Sequence, residues 1–249
     1  MDEETDGIAR LARRTRIVLV RTSHPGNIGG AARAMKTMSL ERLVLVAPLR
    51  YPHADATARA TGADDVLERA RICTTLEEAL ADCTFVIGAS ARQRTLPWPL
   101  LDARTAAERV AASEEETAIV FGPEQSGLDN RELERCGALL RIPTGPAYAS
   151  LNLAAAVQIV AYELHMAARV AVARAPETPL ATADELEYFY AHLQRVMEAA
   201  DFLDPENPKH LMRRMRRLFN RAHLDRNELN IMRGLLAAYD KLREEGIER

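Results

Sequence analysis

Asn27 and Arg33 are the first side chains in this sequence that ask for a chemical explanation. They stand in SHPGNIGGAARAMKTM (Ser23 to Met38), Asn27 among the glycines Gly26, Gly29 and Gly30, Arg33 one helical turn beyond them. The β-branched run RIVLV (Arg16 to Val20) ahead of this stretch predicts a buried strand. Ala31 to Met38 has good helix formers and no breaker. The glycines therefore fall at a strand-to-helix turn, where many folds hold phosphates or cofactors. Two familiar chemistries are excluded. A dinucleotide fingerprint needs G-x-G-x-x-G and these glycines give G-x-x-G-G, while a P-loop needs Gly-Lys-Ser/Thr at its end. What remains is an amide inside the turn and a guanidinium after it. Helix starts and arginines both suit anions, although an arginine on a surface helix is otherwise only a solvated charge.

Other stretches carry residues of the right kind. In FGPEQSGL (Phe121 to Leu128), Gly122 lets a ligand approach the backbone, Pro123 presets a dihedral, Glu124 is an acid beside the turn and Gly127 allows a second bend. An ordinary turn has the same composition. In YASLNL (Tyr148 to Leu153), Ser150 can cap the helix that follows. Asn152 is a poor helix former ahead of an apolar face, and if buried it needs a partner from a ligand or a neighbouring loop. SARQRTLPWP (Ser90 to Pro99) adds Arg92 and Arg94 and sets Trp98 between Pro97 and Pro99, either as a rigid packed loop or as a substrate-facing one. KHLMRRMRRLFNRAHLDR (Lys209 to Arg226) holds seven Lys/Arg and one acid. There Leu211, Met215, Leu218 and Phe219 recur at helical spacing for packing, which leaves Arg213, Arg214, Arg216, Arg217 and Arg221 for solvent or for phosphates. No Ser/His/Asp triad, HExxH or paired-carboxylate spacing stands out; His24 is either catalytic or locally hydrogen-bonded.

The elements that must position these residues follow from periodicity. Strands are predicted over 17–20, 42–48, 84–90, 117–122 and 138–144, with a short edge strand over 71–75. Helices alternate with them: 28–38, a short one within 51–67, a turn or two over 76–80, and a long, largely buried helix over 150–172. This alternation argues an α/β fold with a mostly parallel sheet and helices on both faces. Ligands then bind beyond the C-terminal strand ends, so the turns at Gly26–Gly30, Gly88–Ser90 and Gly122–Gly127 should meet. Residues 1–15 form a flexible lead-in, frayed or weakly helical, 16–172 the α/β domain, 173–182 a linker and 183–249 a helical extension, with helices near 183–200, 207–222 and 225–245.

Composition bounds the rest. A chain of 249 residues, 47% hydrophobic, buries a sizeable core, and a net charge of −3 advertises no global attraction to nucleic acid. Cys73, Cys83 and Cys136 have no metal-like spacing and are expected as buried free thiols, with no metal site. The acidic N-terminus MDEETDG has no apolar core and no run approaches a membrane span, so a cytoplasmic protein without membrane contact is expected.

Taken together and in order, SHPGNIGGAARAMKTM, FGPEQSGL and IPT followed by SLNLAAAVQIVAYEL resemble the three motifs of the SPOUT superfamily of RNA methyltransferases. LVRTSHPGNIGGAARAMKTM, SARQRTLPWP and RRLFNRAHLDRNELNIMRGLL further resemble its bacterial TrmJ group, tRNA (cytidine/uridine) 2′-O-methyltransferases acting at nucleotide 32 of the anticodon loop. The resemblance runs from about residue 16 to about 240. It implies a deep C-terminal trefoil knot, a homodimer, a small all-helical C-terminal domain that binds tRNA, and no DNA substrate. It implies S-adenosylmethionine held mainly by backbone at Ala89, Ser90, Ala91, Gly122, Ile142, Ser150, Leu151 and Asn152. Among catalytic residues it points to Arg33, with Asn27 and Ser150 orienting the ribose or the turn. Family accounts often make this arginine the base; guanidinium groups are hard to deprotonate, which favours a phosphate- and oxyanion-binding role. Pro123 stands where close relatives often carry Arg. Arg213, Arg214, Arg217 and Arg221 are the expected tRNA phosphate contacts. The alternatives are a 2′-O-methyltransferase for another tRNA position or rRNA, and a non-catalytic RNA-binding dimer.

Overall fold

The computed structural model describes residues 3–90, 98–145, 150–170 and 178–245. The chain begins with α1 (Glu3–Arg14), β1 (Thr15–Val20), α2 (Pro25–Thr37), β2 (Arg42–Val46), α3 (Ala54–Ala60), α4 (Asp64–Glu68), β3 (Arg71–Cys73), α5 (Leu76–Leu80) and β4 (Phe85–Ala89). It continues with β5 (Leu100–Leu101), α6 (Ala103–Ala111), β6 (Thr117–Phe121), α7 (Asn130–Leu133), β7 (Ala138–Leu140) and α8 (Leu153–Ala168). Three helices follow: α9 (Ala183–Ala199), α10 (Leu211–Ala222) and α11 (Arg226–Glu244).

The strands form one sheet in the order β3-β2-β1-β6-β4-β7-β5, and its pairings are parallel. Side chains alternate across the sheet because successive residues of a strand face opposite sides. Ile17, Leu19, Ile87 and Ile119 join one apolar cluster with α2, α6 and α8, while Val18, Val20, Val86 and Val120 join a second with α5 and α7. The central strands are therefore apolar on both faces, as a parallel sheet covered on both sides requires.

Local chemistry sets the helix starts. Pro25 opens α2 behind His24, whose Nδ1 accepts from Gly26 N at 3.2 Å. The helix thus starts three residues before the predicted Ile28. Gly29 lets α2 lie against α3, since a Cβ there would collide with the carbonyl of Ala56. The long helix begins at Leu153, with Asn152 rather than Ser150 as its cap.

The lead-in takes its helical alternative: Leu11 is buried, and Arg14 at its end donates to Val110 O and Ser113 O, both at 2.8 Å. Two features differ from expectation. Helix α6 was not anticipated. Its buried face is Ala103, Ala106, Ala107, Val110 and Ala111. The last part of the predicted linker belongs to the helices beyond it. Pro179 O accepts from Arg226 N (2.9 Å), Ala181 is buried, and Thr182 and Glu185 form a capping box on α9. The remainder, 171–177, lies outside the described residues.

Helices α9 to α11 share an apolar cluster built on Phe189, Tyr190, Leu193 and Leu229. They dock at the N-terminal end of β4, where Ala183 N donates to Cys83 O (2.7 Å), Asn220 Nδ2 donates to Glu134 O (2.9 Å), and the His223 ring meets Phe85 edge-on at 5.0 Å. No helix among the described residues is long and apolar enough to cross a membrane.

Candidate active site

The ends of β4, β6 and β7 open onto a cavity of about 440 Å³. Its walls include Ala89 and Ser90 after β4, Phe121 and Gly122 after β6, and Leu140 and Ile142 at and after β7, closed by Ser150, Leu151 and Leu153 at the start of α8. The size is ordinary for a small-molecule site. Ser90 N donates to Leu140 O (2.9 Å), carrying the ladder one residue past β4. Gly122 is sterically required: a Cβ there would run into the backbone of Gly127 and Leu128. The turn it opens closes through Gly127 N donating to Pro123 O at 2.8 Å, with Gly127 at φ +64°.

Beside this cavity is a second hollow of about 410 Å³, lined by His24, Gly26, Asn27, Gly30, Arg59, Asn152 and Ala154. A chain of hydrogen bonds joins the two. The Glu124 carboxylate accepts from Ser23 N (3.1 Å), Ser23 Oγ (2.9 Å), His24 N (3.2 Å) and Asn27 Nδ2 (2.8 Å). Because a carboxylate only accepts, the NH₂ of Asn27 must face it. Asn27 Oδ1 then accepts from Asn152 Nδ2 at 2.9 Å, and Asn152 Oδ1 accepts from Ala154 N (2.9 Å) and Ala155 N (3.3 Å). One anion thereby orients two amides and caps α8. Burial would raise the Glu124 carboxyl, but the donors from Asn27 and Ser23 outweigh it and hold it down at about 2.

The expected turns do meet: those after β1 and β6 through Glu124, those after β4 and β6 across the cavity. Of the residues expected at the cofactor, Ala89, Ser90, Gly122, Ile142, Ser150 and Leu151 line the cavity, and Ala91 lies outside the described residues, as do Arg92 and Arg94. Asn152 lines the neighbouring groove instead, because its amide is taken up by the cap and by Asn27. Arg33 is exposed on α2 and lines neither hollow. His24 is locally bonded as the α2 cap. Trp98 is buried, its Nε1 donating to Cys136 O at 3.3 Å, so it packs. Glu124 entered the sequence reading only as an acid beside a turn; its position within G-x-E-x-x-G was the available signal. Arg59 had none.

The basic helix α10 is partly engaged already. Arg213 pairs with Glu134 (2.5 Å), and Arg216 pairs with Glu187 (2.5 Å) and lies over the Tyr190 ring at 4.6 Å. Its packed face uses Leu211, Met212, Met215 and Phe219, whereas Leu218 is exposed. Arg214 and Arg221 are exposed and Arg217 half-buried. The three thiols are buried, and burial pushes Cys83 and Cys136 up to about 12. No group of three or more His, Cys, Asp or Glu among the described residues could hold a metal ion.

Residues 14–162 match the SpoU rRNA methylase family, and residues 184–248 match the C-terminal domain of the tRNA methyltransferase TrmJ. A tRNA (cytidine/uridine/adenosine-2′-O-)-methyltransferase TrmJ of Pseudomonas aeruginosa is 52% identical over 244 residues, covering 92% of this chain and 95% of that protein. The crystal structure of TrmJ from Z. mobilis superposes with a TM-score of 0.81 at 33% identity, covering 91% of this chain and 99% of that one. A structure described as giving insight into 2-OH methylation of C/U34 on tRNA has a TM-score of 0.50 at 26% identity, covering 61% of this chain and 95% of that one.

Proposed function

We propose a target position and a division of labour for this chain from one premise: it belongs to the SpoU methylase family and, within it, to the TrmJ group of tRNA 2′-O-methyltransferases. It is an S-adenosylmethionine-dependent tRNA 2′-O-methyltransferase. The position we assign is nucleotide 32 of the anticodon loop. The observation that carries the reading is the cavity at the ends of β4, β6 and β7, joined through Glu124, Asn27 and Asn152 to a groove with no carboxylate in its lining.

The residues present fit the cofactor. Leu140, Ile142 and Leu153 offer apolar walls for an adenine, and the bare backbone at Gly122 offers polar edges. When bound, S-adenosylmethionine supplies an electrophilic methyl group on a sulfonium. The chain must do the rest. A ribose 2′-hydroxyl becomes nucleophilic only as it loses its proton, so the site must align it, steady a developing alkoxide and give the proton a route out. Guanidinium groups keep their protons, so Arg33 serves as the fork that holds a neighbouring phosphate and steadies the oxyanion. His24 Nδ1 accepts from Gly26 N, so a neutral ring there presents Nε2–H, a donor rather than a base. Asn27 and Ser150 orient the ribose: Asn27 is locked by Glu124, and Ser150 sits on the cavity rim.

The reading also includes a trefoil knot, in keeping with one cavity bordered by strand ends far apart in sequence, and a homodimer that completes each site. For the dimer, Tyr162 and Met166 recur on an exposed face of α8, with exposed Val170 just beyond its end. Arg213, Arg214, Arg217 and Arg221 are the tRNA contacts assigned on α10. A tRNA substrate implies the cytoplasm.

The test uses labelled S-adenosylmethionine, purified protein and unmodified tRNA transcripts carrying C, U or A at nucleotide 32, with the methyl group mapped by nuclease digestion and mass spectrometry. A ribose methyl at nucleotide 32 is expected. A methyl at nucleotide 34 would move the target to the second reading, which the weaker likeness to the C/U34 structure favours. No transfer with intact cofactor binding would send the search to rRNA.

A further inference from the structure

Arg59 lies on α3, which no motif of the sequence touches, yet it lines the groove beside the cofactor cavity. The floor of that groove is bare helix, because Gly26 and Gly30 stand one turn apart on the same side of α2. The first turn of α2, the positive end of a helix of 13 residues, faces the same space. No carboxylate lines it. Lys36 and Arg69, by contrast, both pair with Asp65, at 2.7 and 2.6 Å. The acid best placed to pair with Arg59, Asp55 one turn back on α3, lies 3.5 Å from His53 instead. Among the described residues Arg59 makes no ion pair, and it is exposed.

We propose that Arg59, with the start of α2 and the His24 ring, binds a backbone phosphate of the RNA next to the ribose that is methylated. The proposal rests on the methyltransferase reading. Ser150 lines the cavity and Asn152, two residues on, lines the groove, so the backbone next to a ribose held at Ser150 lies within reach of the groove. The anion there is a phosphodiester. The other source of negative charge at this site is the cofactor's carboxylate, and the experiment separates the two.

Equilibrium binding of an unmodified tRNA transcript is measured against salt for the wild type, Arg59→Ala and Arg59→Lys, alongside S-adenosylmethionine binding by calorimetry and single-turnover methyl transfer. Arg59→Ala should weaken tRNA binding about tenfold, the loss of one charge-assisted hydrogen bond. It should also reduce the magnitude of the slope of log K against log salt by about 0.7, the value for one phosphate on a single strand. Arg59→Lys should keep the slope and recover part of the affinity, since it retains the charge without the fork. Cofactor affinity should stay at the wild-type value. Unchanged tRNA affinity and slope in Arg59→Ala would overturn the proposal. Lost cofactor affinity with tRNA binding intact would overturn it too, assigning the guanidinium to the cofactor carboxylate. A wild type that binds tRNA and cofactor but transfers no methyl overturns tRNA as the methylated substrate, while the binding series still decides Arg59.

Discussion

The two ends of the sheet handle charge differently, although Arg21, just after β1, pairs with Glu132 (2.6 Å) at the C-terminal end too. At the N-terminal ends of the strands, cation meets anion. Arg16, 2% exposed, donates its fork to Asp82 (2.7 and 2.6 Å) and reaches Glu116 (3.2 Å), which also takes Arg42 (2.8 Å). Arg109 lies over Phe85 and 2.6 Å from His223, closing the seam with the C-terminal helices. At the C-terminal ends the central carboxylate, Glu124, is held only by neutral donors, and Arg59 and Arg33, on helices flanking that end, have no ion pair among the described residues. A buried guanidinium anchored to carboxylates at the surface fixes the position of backbone. Uncompensated cations next to a rigid neutral network leave charge available for an incoming anion. The first end is built for position, the second for binding.

The comparison breaks or sharpens on substitutions at each end. Arg16→Ala should have the largest effect on stability, about 2–3 kcal/mol, because it removes a buried side chain and its charge-assisted hydrogen bonds to Asp82. Thermal unfolding should show a drop in Tm of roughly 10 °C, with kcat per folded molecule unchanged. Arg33→Ala should do the reverse, lowering single-turnover transfer by roughly 10²–10³-fold, as for loss of an oxyanion donor, with Tm unmoved. Near-normal turnover in Arg33→Lys would remove the case for the fork. Glu124→Gln should cost roughly tenfold to a hundredfold in rate, since a neutral amide can no longer satisfy its donors or orient Asn27 and Asn152.

The smallest effects at neutral pH appear only on acidification. Burial, with Arg109 beside it, depresses His223 from 6.5 to about 4. A depressed group binds more protons unfolded than folded, so its contribution is complete above pH 6.5 and is lost as pH falls toward 4. Tm measured across that window should decline in the wild type and flatten in His223→Gln. Glu124 contributes in a lower window: its stabilisation is complete above its ordinary 4.5 and is lost as pH falls toward about 2. A rate profile should therefore show no step from this carboxyl near neutrality.

Much of this was legible in the residues, unevenly. Strands such as Ile17–Val20 and Thr117–Phe121 announce themselves because a sheet covered on both faces demands continuous β-branched runs. Helix α6 was harder to see, since four of the five residues on its buried face are alanines, and α1 read only as weakly helical, since Leu11 alone among its large apolar residues is fully buried. The turns at Gly26–Gly30 and Gly122–Gly127 were visible as chemistry, because glycine at a strand end has few other reasons to recur. Which amide does what was not visible. Ser150 and Asn152 both suit a cap, and the choice fell to Asn152 only because Asn27, 125 residues away, accepts its NH₂.

What the sequence determined by itself is whatever depends on local periodicity and residue type: the alternation of strand and helix, an apolar stretch at each strand, and glycines where backbone must turn. Tertiary structure decided everything that depends on which distant groups meet. It made Arg16 a buried strut and Arg59 an unpaired cation, although both are arginines in unremarkable runs. The physical reason is that a charge is defined by its neighbours. Pairing and burial set what an arginine can do, and neither is written in its immediate sequence.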